Sequence, residues 1–149
     1  MAQGVSAEFA GVLDGSVLPA AMADGRVIGA RVRCYVATFD LALAAVAKAD
    51  GDTNVCFRFP KGARPMFGYL LSSATMGAAA TIAVGKAGAA GKYRAAAVHT
   101  AANAPQLFMV SAAAAAAPLA EYEDVLITIG GAALPGAGTL QVFMFASAR

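Results

Sequence analysis

The 149-residue chain has no Trp, one His, two Cys and only nine carboxylate side chains. Each scarcity removes a class of function. His99 lies in a strand-like run with no Cys or second His near it in sequence, and a metal site needs several ligands. No nucleophile elbow or similar signature supports the Ser–His–Asp sets that can be assembled on paper, so the chain reads as no enzyme and needs no cofactor. Without Trp, and with few clusters of aromatic and carboxylate residues, it is poorly equipped to stack sugar rings. A formal net charge of +2 from scattered basic residues is too small to imply a nucleic-acid partner. The longest apolar run, around residues 112–117, stops at Pro118, well short of the ~18–20 residues of a membrane span. The opening Met1-Ala2-Gln3-Gly4 lacks the basic start and apolar core of a signal peptide. Cys34 and Cys56 have no CxxC spacing and sit inside β-like runs, which predicts buried free thiols and synthesis in a reducing cytoplasm.

What the chain does contain is apolar and small. Apolar residues make up 59% of it and charged residues 13%. About a quarter is Ala, which buries little area per residue. A surface so poor in charge is weakly protected against association. The expectation is a single domain whose exterior is covered by sister subunits or by a larger assembly.

Residues 1–25 differ from the rest. They carry the turn signals Asp14-Gly15 and Asp24-Gly25, and Pro19, with no sustained periodicity. We read them as an extended N-terminal arm ordered by whatever it lies on, the alternative being a free terminus, with residues 26–149 as the folded domain. From residue 27 onward, short apolar runs alternate with Gly, Pro, Asn and Asp, the pattern of an all-β sandwich. Strands are predicted over residues 27–43, 55–59, 66–71, 79–84, 93–100, 106–110, 123–129 and 139–146. In the first, Val32, Cys34 and Val36 share a face. In the seventh, Val125, Ile127 and Ile129 oppose Leu126 and Thr128. The last, with Leu140, Val142 and Met144 opposite Gln141, Phe143 and Phe145, is apolar on both faces and so is expected to be covered on both sides. Residues 42–49 and 112–117 could each form a helical turn. About eight strands in one domain predict a jelly-roll-like β-sandwich with an N-terminal arm.

Three local motifs fail on inspection. Residues 85–92 imitate a phosphate loop, but the glycine spacing is one too long and Lys92 is followed by Tyr93 rather than Ser or Thr, so a hairpin loop is expected. Asp50-Gly51-Asp52-Thr53-Asn54 begins like a calcium loop, yet Val55 stands where Gly is required and Lys61 where a bidentate carboxylate belongs. Gly136-Ala137-Gly138 lacks the third glycine of a dinucleotide fingerprint and precedes a strand. Glu121, Glu123 and Asp124, the densest acidic group, read as a solvated strand entry.

The segments Ala79-Ala80-Thr81-Ile82-Ala83-Val84-Gly85 and Gly91-Lys92-Tyr93-Arg94-Ala95-Ala96-Ala97 are followed by Thr100-Ala101-Ala102-Asn103-Ala104-Pro105, Leu119-Ala120-Glu121 and Ala132-Ala133-Leu134-Pro135-Gly136-Ala137-Gly138-Thr139-Leu140. With Ala23-Asp24-Gly25-Arg26-Val27, this pattern resembles the small virion structural proteins of tailed-bacteriophage head gene clusters, the head decoration (cement) or head-fibre-like proteins. The resemblance spans about residues 23–146 and rests on turn and strand patterns. It implies a β-sandwich that oligomerises, as a homotrimer, on the exterior of an icosahedral capsid, with the major capsid protein as partner. The arm and its root, with Phe9, Leu13, Val17, Leu18, Arg26 and Arg31, are the expected shell contacts, chosen for their apolar side chains and the local group of Arg. The rival expectations are a fibre- or tail-associated virion subunit and a jelly-roll carbohydrate-binding module.

Overall fold

The computed structural model describes residues 31–111 and 117–148. Eight strands follow one another: β1 (Arg31–Asp40), β2 (Thr53–Phe59), β3 (Arg64–Ser72), β4 (Thr81–Lys86), β5 (Ala89–Val98), β6 (Gln106–Met109), β7 (Glu123–Gly130) and β8 (Thr139–Ala148). Their pairing is that of one long hairpin rolled upon itself. β1 pairs with β8, β2 with β7, β3 with β6 and β4 with β5, every pair antiparallel. Rolling the ribbon sets β8 beside β3 and β7 beside β4. Two four-stranded sheets result, ordered β1-β8-β3-β6 and β2-β7-β4-β5, the strand order of a jelly roll.

Period-2 alternation decides which residues meet between the sheets. Leu70, Leu140, Val142 and Met144 come from the first sheet, and Phe59, Ile82, Val84, Val125, Ile127 and Ile129 from the second; all are fully or almost fully buried. Phe108 enters from the short β6 because Gly68 opposite it on β3 has no side chain. A Cβ on Gly68 would stand 2.6 Å from the Phe108 ring and 2.4 Å from the Phe143 carbonyl oxygen.

The two flanks of the sandwich are closed by different chemistry. At the β1–β2 flank, Tyr35, Phe57 and Phe59 form an aromatic cluster, with Tyr35 edge-on to Phe59 at 4.8 Å between centroids. At the β5–β6 flank the seal is polar. β5 is longer than the stretch of β4 it pairs with, and its extra residues appear as register shifts between Ile82 and Val84 and between Val84 and Lys86. Such bulges re-aim side chains, and here adjacent Tyr93 and Arg94 are both buried. The Arg94 guanidinium donates to the carbonyls of Ile82, Ala97 and Val98 and to Gln106 Oε1 of β6, at 2.6 Å for the last. His99 Nδ1 lies 3.3 Å from the same amide oxygen.

Several expectations need correction. Residues 42–49 form turns held by Leu43 N–H to Asp40 O and Val46 N–H to Leu43 O, with no helix, because the segment must reverse the chain between sheets. Cys34 is exposed and Cys56 half-buried, so the expected pair of buried thiols does not form. Val32, Cys34 and Val36 do share a face, but it is the outer one; Ala37 and Phe39 fill the core instead. Among the described residues the core covers one face of β8, and Phe143 and Phe145 on the other face are partly open. Residues 1–25, and 112–116 of the expected Ala-rich turn, lie outside the described residues.

Candidate functional site

With the core defined, the two sheets present outer faces of opposite character. On β1-β8-β3-β6 the register lines up outward residues in rows across the strands. One row runs Cys34, Phe145, Phe67; the next runs Val36, Phe143, Tyr69, Leu107. Phe67 stacks on Phe145 at 4.6 Å and Tyr69 on Phe143 at 4.3 Å, both pairs within 16° of parallel. These cross-strand ring pairs flatten the middle of the sheet into an apolar plate. Val32, Val36 and Leu107 on it are 55%, 48% and 63% exposed. The two central rows contain no charged residue.

The outer face of β2-β7-β4-β5 is small and polar by comparison. Arg58 clasps Asp124 across β2 and β7 with two bonds, Nε at 2.6 Å and Nη2 at 2.8 Å. This mutual grip holds the Asp124 carboxyl below the usual carboxylate range. Both partners are exposed, so the pair adds little stability. Near the end of β7 lies a groove of about 820 Å³ lined by Val55, Lys86, Lys92, Pro118, Tyr122 and Glu123 among others. Its three carboxylates are already engaged, Asp124 by Arg58 and Glu121 by Lys61 Nζ at 3.2 Å. Glu123 accepts from Lys92 Nζ at 2.7 and 2.6 Å and from the Tyr93 hydroxyl, and Lys86 Nζ stands 3.4 Å away. Burial alone would raise the Glu123 pKa, but these donors together hold it below the ordinary value. Burial and the adjacent carboxylate push the Tyr93 hydroxyl well above its usual range, so it stays a donor. A carboxylate tied to three donors is a structural clasp between β5 and β7.

The remaining chemistry-bearing residues are likewise committed to structure. Asp50 Oδ1 accepts from Gly131 N–H at 2.9 Å and Asp52 Oδ2 from Ala49 N–H at 2.7 Å, so the oxygens of the calcium-like segment close turns. Gly88, at φ +76°, closes the hairpin between β4 and β5 where the phosphate-loop imitation lies. Burial pushes the Cys56 thiol up to about 12, against a weaker opposing pull from the Ile127 backbone, so it is not a nucleophile near neutrality. Among the described residues no group of three or more His, Cys, Asp or Glu could hold a metal ion. Nor is any helix among them long and apolar enough to cross a membrane.

Of the expected shell contacts, Arg31 opens β1 opposite Ala148 and is exposed. Phe9, Leu13, Val17, Leu18 and Arg26 lie outside the described residues. The aromatic plate was not among the expected contacts. Its signal was present in the doubly apolar β8, but no single strand shows that Phe67 and Tyr69 fall beside Phe145 and Phe143.

No family model and no curated protein matches the chain. Solved structures do. A chain in the capsid of Ralstonia phage GP4 is similar at TM-score 0.59 and 17% identity, over 80% of this chain and 85% of that one. A chain in the cyanophage Pam1 capsid asymmetric unit gives 0.57 and 21%, over 91% and 96%. One in the acid-stable capsid of Helicobacter pylori bacteriophage KHP30 gives 0.57 and 10%, over 78% and 87%. The fold is shared with these capsid chains. At such identities the likeness is one of fold.

Proposed function

We propose that the chain is a structural protein of a tailed-bacteriophage virion, a decoration or cement protein that binds the exterior of the major capsid shell as a homotrimer and has no enzymatic activity. The observation that carries this reading is the likeness of its fold, over 78–91% of the chain, to chains of three phage capsids. The surface chemistry supports it. A face without charges in its central rows packs against protein with little desolvation cost.

Cementing follows from arithmetic over a lattice. Each copy adds a modest interface free energy, and a shell has many equivalent sites, so the sum resists internal pressure from the genome. An arm bearing Phe9, Leu13, Val17, Leu18 and Arg26, with Arg31 at its root, adds contacts to an already docked body and raises affinity through effective concentration. Shells reconstituted with and without the protein and then heated test the reading. Cementing predicts a higher disruption temperature with the protein bound; equal temperatures refute it. A vertex fibre or tail subunit would instead be present in far fewer copies than the shell protein.

A further inference from the structure

We propose that the chain docks by one end of the sandwich, where Arg31 and Arg33 project, and that the shell surface receiving it is an acidic patch of folded protein. This rests on the decoration reading and adds to it the orientation of the body and the chemistry of its partner.

Charge is divided between the two ends of the strands. At one end β1, β3 and β7 begin and β2 stops, and Leu119 ties the ends together, accepting from Gly62 N–H and donating to the Ala63 carbonyl. Three carboxylates stand there and each is held, Glu121 by Lys61, Glu123 by Lys92 and Asp124 by Arg58. Lys86 shares Glu123 with Lys92, and Arg64 has a partner of its own. Arg31 and Arg33 are left over. They share a face of β1 with Tyr35, which packs on Phe57 and Phe59, but run on past Phe59, where β2 stops. Both are exposed, and neither guanidinium has a hydrogen bond or ion pair among the described residues.

The opposite end has the opposite sign. Asp40, Asp50 and Asp52 accept there from the backbone N–H groups of Ala42, Gly131 and Ala49. The one cation beside them, Lys48, donates to the Leu41 and Leu43 carbonyls. At ~3.4 Å per residue, Arg31 and Asp40 lie about 31 Å apart along β1. That is several times the screening length of about 8 Å at physiological salt, so a surface meeting one end does not sense the other. Carboxylates on a partner are attracted at the first end and repelled at the second, so charge selects the orientation as well as the partner. Residues 1–30 join β1 at Arg31, which puts the root of the expected arm at the docking end. Duplex DNA is the poorer partner, since two unpaired guanidinium groups neutralise few phosphates and the whole chain carries only +2.

The test follows association of the full chain with immobilised phage shells assembled without it, at about 50 mM and about 500 mM salt. Arg31→Glu with Arg33→Glu reverses the pair, and Arg31→Lys with Arg33→Lys keeps its charge. Asp40→Asn removes a charge from the far end while keeping the oxygen that accepts from Ala42. The wild type should associate about tenfold or more faster in low salt than in high. The Glu pair should lose that gain, with circular dichroism and urea unfolding unchanged; the Lys pair and Asp40→Asn should keep it. A Glu pair as fast as wild type at low salt, or a wild-type rate that salt leaves unchanged, overturns the proposal. So does equally fast association with duplex DNA. Wild type that binds shells at neither salt defeats the decoration reading and the docking end with it, whereas binding indifferent to Arg31 and Arg33 defeats the docking end alone.

Discussion

Arg94 gives the sharpest test of how the sandwich is closed. It is 6% exposed, and its guanidinium meets three carbonyls and one amide oxygen, with no carboxylate bonded to it among the described residues. Burial accordingly lowers its pKa, although an Arg stays charged at any ordinary pH. The charge is tolerated because a planar fork with several donors reaches four acceptors at once. Arg94→Met removes the donors and the charge together; the cost is that of under-satisfied buried acceptors, about 1–3 kcal/mol. Arg94→Lys keeps the charge on one nitrogen that cannot span from Ile82 O to Gln106 Oε1. An uncompensated buried charge costs about 3–5 kcal/mol. Loss of the proton sets a ceiling, since neutralising a Lys of ordinary pKa ~10.4 at pH 7 costs about 4.6 kcal/mol.

The conservative substitution is therefore the worse one, and its defect depends on pH. A buried Lys has its folded-state pKa depressed, so the unfolded chain binds more protons below about pH 10.4 and stability rises with pH by up to ~1.4 kcal/mol per unit. Urea unfolding at fixed protein concentration, at pH 7 and 9.5, measures both effects. Arg94→Lys should be the less stable variant at pH 7 and should recover relative to Arg94→Met at pH 9.5. If Arg94→Lys is as stable as Arg94→Met at pH 7 and gains nothing with pH, the guanidinium is not acting as a caged buried charge.

Three further outcomes follow from the same packing. Phe59→Ala empties the centre of the aromatic cluster at the β1–β2 flank, where Phe59 is fully buried against Tyr35, Phe57 and Tyr93, and should cost about 3–5 kcal/mol in urea unfolding. Gly68→Ala forces a methyl against the Phe143 carbonyl and the Phe108 ring and should cost about 1–3 kcal/mol, with Phe108→Ala in the same chain relieving only the ring clash. His99, almost fully buried, has its pKa lowered by burial and by Arg94 against the opposing hydrogen bond with Gln106. The unfolded chain then takes up the proton first, so stability should fall as pH drops below about 6.5, by at most ~1.4 kcal/mol per unit. Gln106→Glu supplies a carboxylate to Arg94 and His99, and chemical unfolding between pH 7 and 5 should show that loss blunted.

How much of this was legible in the sequence depends on the range of the interactions involved. β7 was readable down to its faces, because Val125, Ile127 and Ile129 alternate cleanly with Leu126 and Thr128 and nothing interrupts the ladder. β8 showed apolar residues on both sides, and Phe143 and Phe145 form the outer of its two apolar faces. Strand order was beyond reach, since pairing β1 with β8 joins the two ends of the domain, Arg31 with Ala148 and Asp40 with Thr139. That Val32, Cys34 and Val36 share a face of β1 was legible, but which face lies inward was not, since only the partner sheet shows Ala37 and Phe39 in the core. β5 hid the most. Its bulges break the period of two, and without that register Arg94 reads as an ordinary surface residue. The Ala-rich segment 42–49 misleads for the opposite reason: it has helical propensity, but the chain reversal between sheets overrides it.

The most direct measurement is the number of copies of this chain in purified phage particles, counted against the major shell subunit by quantitative mass spectrometry. A cement protein is predicted at a copy number equal to the shell subunit or a simple fraction of it. Absence from particles, or a handful of copies confined to one vertex, contradicts the account.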